Sequence, residues 1–168
     1  MDFYLQRLQD AITSATADLS AEQLAGHPEG KWSTAEILEH LYLTYTGTTK
    51  GFERCVQCGQ PMARAPELMD HLRKFVVISF EHLPEGRKAP KNTVPKGMSA
   101  GQVRAQIASA IAKMDAVIAE AENKYGVEKR LLDHPIIGPL RGDEWRKFHW
   151  VHGKHHLKQI RRLQKATK

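Results

Sequence analysis

The chain has 168 residues, of which 41% are hydrophobic and 26% are charged, and its formal net charge is +6. This length and composition predict one soluble domain, residues 1–168, and exclude a disordered chain. No apolar run approaches the roughly 20 residues that a membrane-spanning helix needs, and the polar N-terminus lacks a secretory signal pattern. Two cysteines do not form a disulfide framework, which favours a cytoplasmic protein.

Helical periodicity dominates the first half of the chain. Residues 3–19 place apolar side chains three or four positions apart and predict an amphipathic helix. Ser33 and Glu36 form the pattern of a capping box, which predicts a second helix that stops near residues 59–61. A shorter helix is predicted near residues 67–80.

Two long irregular segments interrupt the second half. Residues 84–98 are rich in proline and glycine, which forbids a regular helix there. Ser99 and Gln102 then predict the capping box of another long helix, whose apolar residues alternate in steps of four and three, as in a helical bundle. Residues 127–142 are again irregular, without convincing strand alternation. Their His134 is interpreted as a surface residue, with a position at a pocket mouth as the alternative.

The last predicted helix carries most of the net charge. Asp143 is predicted to cap this helix, which runs to about Lys165. Residues 141–168 contain 9 Lys and Arg, 2 Asp and Glu, and four of the nine histidines. Such a segment fits nucleic-acid binding, membrane contact or a metal site. At 100° per residue His149, His152 and His156 fall on the apolar face and His155 at its border, whereas the basic side chains, Arg146 among them, fall on the opposite face. The charge is therefore interpreted as solvation of one face, and nucleic-acid binding is disfavoured.

Two histidines on the apolar face have the spacing of a metal site. His152 and His156 are four residues apart, so their rings lie one turn apart on the same side of the helix, where a divalent cation can join them. A third ligand must come from another helix, and His40 is the best candidate. The alternative is that these are hydrogen-bonded core histidines. Gly153 follows His152, which excludes the HExxH pattern of metalloproteases.

Two segments of the chain carry a family resemblance. They read WSTAEILEHL over residues 32–41 and HGKHHLKQI over residues 152–160. In this order, they resemble the motifs of the DinB/YfiT-like superfamily. The resemblance implies an all-α fold, a four-helix bundle, here with an additional short helix and two long loops. It also implies one divalent metal held by three histidines, which correspond in position to His40, His152 and His156. One departure is Leu157-Lys158, where the family often has Arg-Gly.

A site of this kind predicts a metal-dependent enzyme. Three imidazoles suit zinc or nickel, with iron and manganese as alternatives, and they leave a coordination position open. The expected chemistry is hydrolysis or transfer of a thiol, because a bound metal lowers the pKa of a bound water or thiol. Glu36 is a candidate catalytic base, although completing the capping box is its alternative role. His149 is either a fourth ligand or a residue that lines the pocket.

The predicted partner is a small-molecule substrate, with low-molecular-weight thiols among the candidates. No nucleic acid, membrane or further cofactor is expected, and a homodimer is compatible with the fold. A metal-containing bundle without catalysis, which acts in binding or assembly, remains the alternative function. Cys55 and Cys58 form a CxxC pattern, but the chain lacks the second pair of a zinc ribbon, so they are interpreted as incidental.

Overall fold

The computed structural model describes residues 1–83 and 88–166, and the chain is mostly helical, which confirms the predicted all-α class. The helices are α1 (Phe3–Thr16), α2 (Ala21–Ala25), α3 (Thr34–Gln57), α4 (Leu68–Lys74), α5 (Ala100–Tyr125) and α6 (Gly142–Ala166). A π-helical turn, Phe75–Ser79, continues α4, and a 3-10 turn, Lys91–Thr93, precedes α5. The strands are β1 (Leu132–His134) and β2 (Gly138–Leu140).

Both predicted capping boxes start the helices that they predict. The Ser33 hydroxyl accepts the Glu36 backbone N–H at 3.2 Å, and the Glu36 carboxylate accepts the Ser33 N–H at 2.8 Å. Ser99 and Gln102 exchange the same two bonds at the start of α5, at 3.1 and 3.3 Å. Each box satisfies N–H groups that a helix start otherwise leaves without partners.

The long helices pack in pairs along their predicted apolar stripes. α3 lies along α5, and α1 lies along α6. Most side chains of the predicted stripes are buried, namely Leu5, Leu8, Ile12, Val103, Ile107, Ala110, Met114, Val117 and Ala121, and the predicted Ala15 is partly buried. Thr16, Ile111 and Ile118 lie outside the predicted stripes and are buried as well. α3 and α6 also contact each other, which brings the histidines of both helices to one place.

The segment predicted as irregular over residues 127–142 contains a β-hairpin. Its strands pair antiparallel, with Leu132 opposite Leu140 and His134 opposite Gly138. Gly138 has a φ of +78°, a conformation that other residues rarely adopt. Strands of three residues are too short for polar and apolar alternation to be recognised, which explains why the prediction of an irregular segment was wrong.

Two details of α6 also differ from prediction. The helix begins at Gly142, and Asp143 lies inside its first turn. The Asp143 carboxylate binds the guanidinium of Arg141 at 2.8 Å. Arg146, predicted on the solvent face, is only 8% exposed, because α5 presents two carboxylates to that side of α6.

The proline-rich connection predicted over residues 84–98 is described only in part, since residues 84–87 lie outside the described ranges. Its remainder includes the 3-10 turn Lys91–Thr93, which contacts α3. Within residues 1–83 and 88–166, no helix has the length and apolar character that crossing a bilayer requires.

Candidate metal centre

Three histidines from two helices converge at one point. His40 lies on α3, and His152 and His156 lie one turn apart on α6. One ring nitrogen of each lies within 4.8 Å of the other two. Nε2 of His152 is 3.3 Å from Nε2 of His40 and 3.0 Å from Nε2 of His156. Ligand nitrogens on a tetrahedral zinc ion, at about 2.0–2.1 Å from the metal, are about 3.3 Å apart. The spacing therefore fits a first-row metal ion.

The outer nitrogens of two of these rings have partners that fix their protons. Nδ1 of His40 donates to the backbone carbonyl of Thr93 at 2.8 Å. Nδ1 of His156 lies 2.8 Å from the side-chain oxygen of Gln159, to which it donates. A neutral ring with its proton on Nδ1 has a lone pair on Nε2. His40 and His156 therefore both direct Nε2 lone pairs toward His152.

His152 cannot satisfy both of these lone pairs. Its Nε2 lies within hydrogen-bond distance of both neighbours, but a single N–H donates well to only one of them. Its Nδ1 is buried without a hydrogen-bond partner among the described residues. A cation at the point of convergence accepts all three lone pairs at once, whereas a single proton cannot.

Electrostatics keep the cluster in the form that binds metals. Burial lowers the pKa of His40, and the hydrogen bond to the Thr93 carbonyl only partly opposes this effect. Burial, with His40 and His155 nearby, lowers the pKa of His156 to about 3. The pKa of His152 is also lowered, first by burial and then by its histidine neighbours. Neutral imidazole is the form of histidine that binds a metal.

The residue before His40 anchors the neighbouring loop. Glu39 is 1% exposed, and its carboxylate accepts the backbone N–H groups of Lys96, Gly97 and Met98 at 2.7, 3.0 and 2.9 Å. Since the Thr93 carbonyl lies just upstream of this loop, Glu39 and His40 together fix the segment that orients the His40 ring. Partners of this kind are typical around metal ligands.

The other two sequence candidates lie outside the cluster. The carboxylate of Glu36 is engaged in the capping box with Ser33, so its catalytic role stays a prediction. Nε2 of His149, which is fully buried, lies 3.1 Å from the hydroxyl of Thr48. Among the residues that the structure describes, the group with metal-ligand geometry consists of histidines 40, 152 and 156 alone.

The three histidines line a large open cavity of about 1340 Å³. Aromatic and aliphatic side chains form much of its wall, including Trp32, Phe148 and Ile137. The histidine cluster is therefore accessible to a small molecule from this cavity, although the rings themselves are largely buried. A mostly apolar pocket with a few convergent polar groups is the usual form of a small-molecule site.

One histidine of this cavity was expected at the surface, with a position at a pocket mouth as the alternative. His134 lines it from strand β1, and its ring packs against Phe148 with centroids 4.2 Å apart. No local pattern marks this residue, because the hairpin that turns it inward was itself not predicted. Gln159 also lines the cavity, and its side-chain oxygen accepts the Nδ1 proton of His156.

A comparison with protein-family models decides the classification. The model described as a protein of unknown function, DUF1569, matches residues 1–163. The chain belongs to this family. No curated protein and no solved structure shows significant similarity to it. The matched residues of this DUF1569 protein include all three histidines of the cluster.

In this DUF1569 protein several basic side chains of residues 141–168 form ion pairs with carboxylates. Arg141 pairs with Asp143, Lys154 pairs with Glu81, and the guanidinium of Arg146 is buried among carboxylates. The basic surface is therefore smaller than the residue count of 141–168 indicates.

The two cysteines of the CxxC pattern have different environments in this DUF1569 protein. Cys55 is buried and lies 3.5 Å from the backbone oxygens of Gln60 and Leu131, whereas Cys58 is exposed. Burial raises the pKa of the Cys55 thiol, which disfavours the reactive thiolate.

Proposed function

We propose that this protein is a metal-dependent enzyme that acts on a small organic molecule in the cavity. The observation that carries the proposal is the convergence of three Nε2 atoms, from His40, His152 and His156, on the cavity wall. Zinc or nickel suits an all-imidazole site best, with iron and manganese as alternatives. The resemblance to DinB/YfiT-like four-helix bundles supports the same ligand set.

The protein supplies position and protonation state. Thr93 and Gln159 hold two imidazoles with Nε2 unprotonated, and burial keeps the cluster neutral. A divalent cation held there supplies a Lewis acid that lowers the pKa of a bound thiol or water. In this proposal the apolar wall of the cavity contacts the apolar part of the substrate and orients it toward the cluster.

Activation of a small thiol fits the site better than hydrolysis. Hydrolysis usually uses a general base beside the attacking water. The carboxylates nearest in sequence to His40 are those of Glu36 and Glu39, and both accept backbone N–H groups. A free thiol ionises near about pH 8.5, so a cation beside it would leave it deprotonated at pH 7 without a separate base, whereas water beside the same cation, with a pKa of about 7, would be only partly ionised. Hydrolysis is the second candidate, because the Asp133 carboxylate also lines the cavity.

Metal content tests whether the three histidines bind a divalent metal, the first part of the proposal. Purified protein exposed to Zn²⁺ or Ni²⁺ and then desalted is expected to retain about one ion per chain, measured by plasma mass spectrometry. His152→Ala and His156→Ala are expected to lose it, whereas His71→Ala, which changes an exposed histidine of α4, retains it. Wild-type protein that retains no divalent metal would contradict the proposal.

Turnover assays test whether the metal-loaded protein is an enzyme, the second part of the proposal. The metal-loaded protein is assayed with low-molecular-weight thiols and electrophiles, and separately with esters and amides, beside His152→Ala as the inactive control. Thiol consumption that depends on His152 supports the first candidate, and ester or amide cleavage supports the second. Stoichiometric metal without turnover in either series favours a non-catalytic role in binding or assembly. Sedimentation of the same samples measures whether the protein forms a homodimer.

A further inference from the structure

His134 has its proton position fixed by the hairpin that carries it. Nδ1 of His134 lies 3.2 Å from the backbone nitrogen of Ile136 and 3.3 Å from that of Ile137. Both backbone groups are N–H donors, so Nδ1 must be the acceptor and carry a lone pair. The neutral ring therefore has its proton on Nε2. In a doubly protonated ring the Nδ1–H would point at the N–H groups of Ile136 and Ile137, and this repulsion disfavours the charged form of His134.

The surroundings of the ring agree with this state. His134 packs between aromatic neighbours, with centroids 4.2 Å from Phe148 and 5.3 Å from Trp145. Burial lowers the pKa of His134 to about 4, so the ring is neutral near pH 7. A neutral imidazole with a fixed N–H is a hydrogen-bond donor that keeps its proton across the physiological pH range.

The Nε2–H of His134 has no protein acceptor within the described residues. The hydrogen bonds of this side chain are those of Nδ1, and Nε2 is not one of the fully buried nitrogens without a partner. Since Nδ1 faces the turn, Nε2 lies on the side of the ring away from it, and the residue lines the cavity. Phe148 contacts both His134 and the cluster residue His152, with which it stacks at 5.6 Å. The donor and the cluster therefore belong to one site.

The remaining polar lining indicates the charge of the ligand. The acidic side chain among the described lining residues is Asp133, which accepts the backbone N–H of Arg64 at 3.3 Å. The cationic side chains that line the cavity are Lys31, Arg54, Arg73, Lys88 and Arg162. An excess of cations around an apolar cleft attracts anions and raises their local concentration.

We propose that the cavity binds an organic anion with an apolar body, and that His134 donates a hydrogen bond from Nε2 to an oxygen of this ligand. His134 is then a specificity-determining residue, which distinguishes oxygen acceptors from groups that cannot accept. The inference takes from the proposed function only that the cavity is the substrate site, and it does not require the metal.

Two substitutions separate the donor role from the hairpin role. His134→Asn places an amide oxygen near the position of Nδ1, which keeps the acceptor for Ile136 and Ile137 but removes the Nε2–H. His134→Gln places an amide N–H near the position of Nε2 and removes the acceptor from the turn. A purely structural role predicts that Asn is tolerated and Gln is harmful, whereas a donor role predicts the reverse for ligand binding.

The probe is 2-naphthoate, an aromatic carboxylate, with neutral 2-methylnaphthalene as its matched control. Calorimetric titration of wild-type protein is expected to show naphthoate binding and at least tenfold weaker binding of the control. His134→Asn is expected to weaken naphthoate binding about tenfold or more, the range for a lost hydrogen bond to a charged group. His134→Gln is expected to remain within about threefold of wild type. If the Gln variant does not fold by circular dichroism, the Asn variant alone decides.

Three results would overturn the inference: no naphthoate binding to wild-type protein, equal binding of the neutral control, or an unchanged affinity in His134→Asn. Metal content, measured on the same samples, separates this inference from the proposed function. Naphthoate binding that depends on His134 in protein that retains no metal contradicts the proposed function and supports the inference. Stoichiometric metal without naphthoate binding supports the metal site of the proposed function and contradicts the inference.

Discussion

Helix α6 carries two buried polar clusters that differ in how their groups are satisfied. Toward its N-terminus, Arg146 contacts Asp115 at 2.7 Å and Glu122 at 2.8 Å, so each charge has an opposite partner. Farther along, His152 and His156 meet His40 with lone pairs that no arrangement of protons on three neutral rings satisfies together. Both clusters are largely buried, and both join α6 to another helix.

The difference separates a structural cluster from a ligand site. A buried ion pair with complete hydrogen bonding needs nothing else, and removal of one partner leaves an uncompensated charge. A buried set of converging acceptors is costly unless a cation joins it. The Arg146 network should therefore affect folding without affecting metal, whereas substitutions around the histidines should affect metal more than folding.

The largest expected effect is on the Arg146 network. Arg146→Met leaves the carboxylates of Asp115 and Glu122 buried without their cation, and we expect a loss of about 3–5 kcal/mol in the free energy of unfolding. Urea denaturation measures it, with Lys158→Met on the exposed face as the control. Metal content per folded chain should not change. A loss below about 1 kcal/mol would show that the two clusters are not energetically different.

The next effect concerns the loop beside the cluster. Glu39→Gln keeps the shape of the side chain but removes the charge that accepts three backbone N–H groups. Hydrogen bonds to a charged group contribute about 1.5–3 kcal/mol each, and we expect a total loss of about 2 kcal/mol because the amide retains one acceptor. Urea denaturation and metal titration are compared, with Glu120→Gln, which changes an exposed carboxylate of α5, as the control. Unchanged stability together with unchanged metal affinity would contradict the anchoring role.

A smaller effect is expected from the partner of His156. Gln159→Leu removes the acceptor for Nδ1 of His156, and substitutions of this type lower metal affinity about 10- to 100-fold. Competition with a chelator measures the affinity, and Gln164→Leu, on the same helix, is the matched control. Equal metal affinity in the two variants would indicate that Gln159 is not what keeps the proton of His156 on Nδ1.

The smallest expected effect is a pH dependence of the free energy of unfolding, caused by a second ion pair whose charges are both partnered. Arg64 binds Asp70 at 2.6 and 2.8 Å, and this pairing lowers the pKa of Asp70 to about 2. Because the folded pKa lies below the ordinary value of 3.8, the contribution is complete above about pH 4 and is lost as the pH falls toward 2. The stability difference between wild type and Asp70→Asn should therefore shrink over that range. A constant difference would exclude this linkage.

The sequence was sufficient to predict the helices, because capping residues and apolar spacing are local properties. Ser33 and Ser99 each start a helix as expected. The spacing of His152 and His156, together with a resemblance, was enough to select His40, and the structure places the three together.

Tertiary contacts determine what the sequence could not show. A helical projection places Arg146 opposite the histidines but contains no information about the acids of α5 that cover it. His134 depends on a hairpin of three-residue strands, whose alternation is too short to detect. Thr93 orients His40 from a loop 53 residues away in sequence, and no periodicity connects such positions.

The adjacent positions of Glu39 and His40 have a consequence for the dynamics of the chain. Both residues hold one loop, the first through the backbone N–H groups of residues 96–98 and the second through the carbonyl of Thr93. An ion that fixes the His40 ring also fixes this carbonyl, so loop opening must then break the two attachments together. Amide hydrogen exchange at residues 96–98 should therefore slow on metal loading, although none of these residues belongs to the histidine cluster.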